Sequence, residues 1–245
     1  MIKLYDGLID RLNELTEGLG SVSYPYRESA AWPETKDYEV ILQRDTALEL
    51  GGSGRSNANY MCVTTEQSGI QIDEVRVFGP DLQEIHGPVD FARVCEIVVS
   101  EGADTDPETK PAKLHRLLQD IDFVKYHIYP SGYMIRTSGQ SPREQIRISW
   151  SALRDGISFE AVGNTYIRHY KENPAVLHVR VNFFTTPDLD YRELQKSAKT
   201  AADIKNSLSD ITKGLPKDCG SCGAREICDS IEGLRELHFG RKAAP

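Results

Sequence analysis

The sequence has no apolar run approaching the about 20 residues that a membrane-spanning helix needs. Its first residues, Met1-Ile2-Lys3-Leu4-Tyr5-Asp6, lack the charged and apolar regions of a secretory signal. Positive charge is in short supply. Lys and Arg number 29 against 37 Asp and Glu, a formal net charge of -8 at pH 7, with a pI near 5.3. That balance argues against non-specific nucleic-acid binding and against docking on an anionic membrane, while leaving room for a local basic pocket. Cysteine is scarce and odd in number, five in 245 residues, so a secreted disulfide framework is not expected. A reducing cytoplasm with ligand cysteines is the expected setting. The six histidines show neither H-x-x-x-H nor H-E-x-x-H spacing, and no Gly-x-Ser-x-Gly elbow is present, so a stand-alone hydrolase has no support. Gly51-Gly52-Ser53-Gly54-Arg55 lacks the Gly-Lys-Ser/Thr end of a phosphate loop and reads as a hairpin turn.

What is present concentrates near the C-terminus. Cys219, Cys222 and Cys228 form a C-x2-C-x5-C run within ten residues. Three clustered thiols are hard to explain as packing. The first two have the spacing that aims both sulfurs of one tight loop at a single ion or cluster. Gly220 and Gly223 flank them and let the backbone turn sharply. The run reads as a metal site, either iron–sulfur or zinc. Asp218 and Asp229 read as caps or solvated charges rather than ligands. Cys62 and Cys95, in apolar strand contexts, read as buried small residues.

Periodicity places the remaining elements. Tyr5, Leu8, Ile9, Leu12, Leu15 and Leu19 recur at helical spacing over Ile2 to Leu19. Ser21 to Lys36, with Pro25 and Pro33, reads as a linker or surface strap in which Trp32 is a packing anchor. Strands are expected at Tyr38–Leu42, Tyr60–Val63, Glu74–Phe78, Val94–Val99, Gln145–Ser149 and Val176–Phe184. A hairpin is expected around Pro130-Ser131-Gly132, between Tyr126–Ile128 and Tyr133–Arg136. Helices are expected at Ala112–Asp120, from Ser158 to Asn173, from Pro187-Asp188 to Ile211 and at Ser230–Leu237, with Ser149 or Ser151 capping a short one. The mixed order of elements gives an α+β class: a mixed or antiparallel sheet packed with helices, followed by a small cysteine-rich metal-binding segment. Three parts result: residues 1–36, a helix and strap; 37–213, the α+β domain; and 214–245, the cysteine-rich segment.

Three stretches, in order, resemble the middle region of the β (acetyl-CoA synthase) subunit family of the carbon monoxide dehydrogenase/acetyl-CoA synthase complex. They are Glu74 to Ile85 with its Gly79-Pro80-Asp81 turn, Gly139-Gln140 followed by Ile146-Arg147-Ile148-Ser149, and His178 to Thr186 before the long helix. The resemblance covers Tyr38 to His238. It implies an iron–sulfur protein of anaerobic one-carbon or acyl-CoA metabolism, an electron-transfer or accessory subunit with a protein partner. In that family C-x2-C, a third cysteine and a fourth nine residues later hold a [4Fe-4S] cluster. Cys219, Cys222 and Cys228 match the first three with a shortened gap, and His238 stands at the fourth position. The alternatives are a solvent-facing His238 and, for the metal, a Cys3His zinc site in a non-catalytic assembly or regulatory module. The family's later Cys-Gly-Cys, which completes its nickel site, has no counterpart, so nickel is not expected. The resemblance also implies a coenzyme A or acyl-CoA site. Arg136 and Arg147, with Arg143 and Arg154 nearby, are its candidate phosphate ligands, and Tyr133 is the nearest surrogate for an adenine-stacking tryptophan. The alternative is an ordinary charged sheet face pairing with Glu144, Asp155 or Glu160.

Overall fold

The structure is a computed structural model that describes residues 3–52, 54–65, 69–100, 110–137, 143–213, 225–231, 233, 234 and 237. Two sheets form its frame. The larger holds β1 (Val22–Pro25), β3 (Asn57–Thr64), β4 (Glu74–Phe78), β5 (Phe91–Val99) and β8 (Val176–Phe184), in the order β1-β4-β8-β5-β3. Its pairings are mixed: β3 with β5 and β4 with β8 are parallel, while β5 with β8 and β1 with β4 are antiparallel. The smaller sheet is antiparallel, β2 (Thr46–Leu50), β7 (Glu144–Ser149) and β6 (Tyr133–Thr137), in the order β2-β7-β6. The α+β class read from the sequence holds.

The helices are α1 (Asp6–Thr16), α2 (Lys110–Phe123), α3 (Trp150–Arg154), α4 (Phe159–Lys171), α5 (Tyr191–Thr212) and α6 (Arg225–Ser230). Their starts are chemically marked. Ser149 accepts from the Ala152 N–H, Ser158 from the Ala161 N–H, and Asp190 from the Arg192 and Glu193 N–H groups. Helices cover both faces of the large sheet. Gly163 of α4 lies so close to β4 that a Cβ there would sit 2.5 Å from Val75. On the other face α5 packs against β3, where Tyr60 points away from its neighbour Met61, which is in register with Cys95, Val181 and Val75. One apolar core runs through both layers, including Phe91, Phe159 and Phe183, whose rings stack at 4.6 to 6.3 Å. No helix among the described residues is long and apolar enough to cross a membrane.

Four sequence expectations are corrected. Val22–Pro25, within the expected strap, is an edge strand paired to β4. Four residues ending in Pro25 are too few to show alternation, and only Glu74–Val77 completes the ladder. Tyr38–Leu42 joins neither sheet. Side chains occupy its surroundings instead: the Glu39 carboxylate accepts from the Gly132 N–H at 2.9 Å, and Arg147 donates to the Ile41 carbonyl at 3.4 Å. Gly51–Gly54 is no hairpin, because β2 and β3 belong to different sheets. Gly51 has φ 59°, and a Cβ there would lie 2.7 Å from the Asn57 Cβ. The hairpin around Pro130 is also absent: Val124–Tyr126 is a 3-10 turn, and β6 pairs with β7.

Candidate functional site

Of the four candidate metal ligands, one lies within the described residues. Cys228 sits on α6, half-buried, and packs with Ile227, Ile231 and Leu237 against the core, while Leu234 is fully buried. Arg225 and Asp229 of the same helix pair at 3.6 Å. Cys219, Cys222 and His238 lie outside the described residues. Among the described residues no group of three or more His, Cys, Asp or Glu is placed to hold a metal. The chemistry of the donor set is compatible with the expected group: three thiolates and an imidazole would suit a soft ion or an iron–sulfur cluster.

The other two cysteines are structural. Cys62 and Cys95 are fully buried on adjacent strands. Cys62 is in register with Glu96, next to Cys95, so the two side chains leave opposite faces. Burial and the nearby Glu96 push the Cys62 thiol well up. Burial also raises the Cys95 thiol, although its Sγ accepts a 3.0 Å hydrogen bond from Arg93.

The small sheet separates the candidate phosphate ligands from the candidate stacking ring. Arg147 is in register with Met134, and Arg136 with Gln145, so both arginines share one face. Tyr133 pairs with Ile148 and points the other way, into the core, where it is buried. The structure therefore brings Arg136 and Arg147 together and does not bring Tyr133 to them. Arg136 is exposed, whereas Arg147 is half-buried and lies 3.4 Å from Glu49. The carboxylates expected opposite the arginines are used elsewhere: Glu144 holds Arg93, and Glu160 holds Arg27. Arg136, Arg143 and Arg154 make no ion pair among the described residues.

The sequence reading missed the buried charge between the sheets. Arg93, 1% exposed, and Glu144, fully buried, form a two-bond pair: Nε donates to Oε1 at 2.9 Å and Nη2 to Oε2 at 2.7 Å. Asn59 adds a 2.9 Å bond to the same carboxylate, and the Glu144 N–H donates to Asn57 Oδ1 at 3.0 Å. The guanidinium lies over the Tyr166 ring at 4.2 Å. A strand reading Phe-Ala-Arg-Val-Cys-Glu-Ile carries two charges inside an apolar run, and that contrast was the available signal. The second of them, Glu96, belongs to a network on the opposite face, with Asn182 at 2.8 Å and Arg180 at 3.6 Å. Arg180 also binds Glu74 at 2.7 Å. The stretches Glu74–Phe78 and His178–Phe184 thus build one polar row on the central strands.

Comparison with known proteins finds no curated protein that matches the chain. A family model, the CO dehydrogenase/acetyl-CoA synthase complex beta subunit, matches residues 33–189. The match runs from the strap ahead of β2 through both sheets apart from β1 and stops just before α5, so it covers the arginine face and not the cysteine run. Because it spans more than half of the sequence, the chain belongs to the CO dehydrogenase/acetyl-CoA synthase complex beta-subunit family.

Proposed function

We propose that the protein is an iron–sulfur accessory or electron-transfer subunit in an acetyl-CoA-synthase-like system of anaerobic one-carbon or acyl-CoA metabolism. The observation that carries this reading is an order along the chain: a domain of this family, then α5, then the C-x2-C-x5-C run. Cys219, Cys222 and Cys228 are the thiolate ligands, and His238 or an outside group completes the set. When bound, a [4Fe-4S] cluster supplies one-electron redox chemistry. The protein's own residues anchor and shield it. Cys228 is held at the core surface by the apolar side of α6, and its half-burial limits access of water and oxidants.

An acyl-CoA phosphate is placed at Arg136 and Arg147, which share one face of the small sheet. Arg136 is exposed there and Arg147 is half-buried. A guanidinium offers a phosphate two parallel N–H donors, which an ammonium does not. Arg136→Ala combined with Arg147→Ala should weaken coenzyme A binding about tenfold or more by calorimetry. Unchanged affinity rejects the site.

Metal analysis with an anaerobic visible spectrum tests the cluster. A brown protein containing iron and sulfide is expected, and Cys222→Ser should lose both. A colourless protein with one zinc per chain would instead support a structural Cys3His site that fastens the C-terminal segment. Neither iron nor zinc in the purified protein would reject both.

A further inference from the structure

Among the described residues Glu49 is the one carboxylate within ion-pair distance of Arg136 or Arg147, and neither the metal nor the coenzyme A reading gives it a role. It pairs directly with Arg147 across β2 and β7, so the two side chains leave the same face of the small sheet. Met134 flanks Arg147 on the other side, and Arg136 stands diagonally across on β6. Glu49 Oε2 lies 3.4 Å from Arg147 Nε. The same side chain explains a glycine in the turn after β2. A Cβ at Gly52 would come within 2.6 Å of Glu49 Oε1 and 3.0 Å of its Cδ, so a residue without a side chain gives the carboxylate its seat beside Arg147.

The contact is an attraction of charges and not a saturated hydrogen bond. At 3.4 Å it is longer than an ordinary N–H···O bond, and the bond from Arg147 Nη1 to the Ile41 carbonyl is equally long at 3.4 Å. The Nε atom of Arg147 is shielded from water, yet it makes no hydrogen bond to a protein group. A buried donor left without an acceptor costs free energy. Glu49 thus neutralises the guanidinium without using up its donors, which stay available to an acceptor that comes closer. A phosphate oxygen is such an acceptor. It also brings to the same nitrogen a charge of the same sign as Glu49.

The other charges nearby leave this opposition in place. Glu39 takes the Gly132 N–H at 2.9 Å, and Asp45 lies 3.6 Å from Arg44. Glu144 is bound to Arg93 on the opposite face of the sheet. Lys36, Asp37, Arg55 and Arg143 are exposed, and none of them pairs with Arg147. We propose that Glu49 is the internal counter-ion that a phosphate must displace from Arg147, and that it sets how tightly the arginine face holds its ligand. Coenzyme A carries more than one phosphate group, so it can offset that displacement through Arg136. The proposal rests on the coenzyme A reading of Arg136 and Arg147 and adds the residue that opposes binding there.

The test is calorimetric titration of coenzyme A into the parent protein, Glu49→Gln, Arg147→Ala and Glu49→Gln/Arg147→Ala. Glu49→Gln should bind about tenfold more tightly than the parent. The gain should vanish in the Arg147→Ala background, where no guanidinium remains for the carboxylate to occupy. Glu49→Ala should show the same gain, and circular dichroism of every variant should match the parent. Equal affinity in Glu49→Gln overturns the proposal. Weaker binding overturns it too, because it marks a carboxylate that orients Arg147 instead of competing for it. So does a gain that survives the loss of Arg147. Failure of the coenzyme A reading looks different: Arg147→Ala then binds coenzyme A as the parent does, or no protein in the set binds it, and the proposal falls with that reading.

Discussion

Arg93 and Glu144 show why a buried charge is costly to disturb from one side only. Each is almost fully removed from water, and each satisfies the other. Replacing Arg93 with Leu leaves the carboxylate buried without its cation, at a cost of about 3–5 kcal/mol, whereas Arg93→Leu/Glu144→Leu should recover much of that loss. Urea unfolding of the single and double variants measures the difference, and additive losses would show that the pair is not coupled. Glu34 makes a second residue-scale case, at the protein surface. Burial pushes its carboxyl up, but His169, the Tyr129 N–H and Arg168 outweigh burial and hold it below the ordinary 4.5. A depressed folded pKa contributes stability that is present above the unfolded value and lost as the pH falls through the folded one. The urea midpoint should therefore drop as the pH is lowered below 4.5, and drop less in Glu34→Gln. Parallel curves would contradict the assignment.

At the scale of elements, the seat of α4 depends on one missing side chain. Gly163 lies in mid-helix, where glycine costs about 1 kcal/mol relative to alanine. A Cβ at that position would meet both Val75 methyls at 2.5 and 2.6 Å. Gly163→Ala should therefore destabilise by about 1–3 kcal/mol despite its better propensity. Adding Val75→Ala should restore part of the loss, and denaturation of the two variants decides it. The strap is the other informative element. Trp32 donates its indole N–H to the Ser131 carbonyl at 2.8 Å, and its backbone N–H reaches Ala161 of α4 at 3.0 Å. Thr35 and Glu34 meet Tyr129 in the same way, so a stretch read as a surface connection ties α4 to the chain leading into β6. The sequence marked Trp32 as an anchor. It could not show what Trp32 anchors, because Ser131 lies 99 residues away.

For the whole molecule, the core is large and continuous through both layers, so removal of metal should leave it standing. Cys222→Ser, which removes one of the proposed ligands, is expected to keep native circular dichroism and cooperative unfolding. Global unfolding would show that the C-terminal segment holds the fold together. The amino-acid sequence by itself determined what depends on local order. Helix starts at Ser149 and Ser158, the alternation of Glu74–Phe78 and the thiol spacing are properties of neighbours within a few residues; the class was read from the mixed order of such elements, and the family from the stretches Glu74–Ile85, Gly139–Ser149 and His178–Thr186. Only the tertiary structure decided the rest. It paired Val22–Pro25 with a strand some fifty residues later and left Tyr38–Leu42 outside both sheets. It also turned Tyr133 away from Arg136 and Arg147, and joined Arg93 to Glu144. The physical reason is that strand pairing and charge burial are contacts between residues far apart in the chain. A pattern can show that a segment is extended or that a charge lies in an apolar run, but its partner is set by which surfaces the packed core brings face to face.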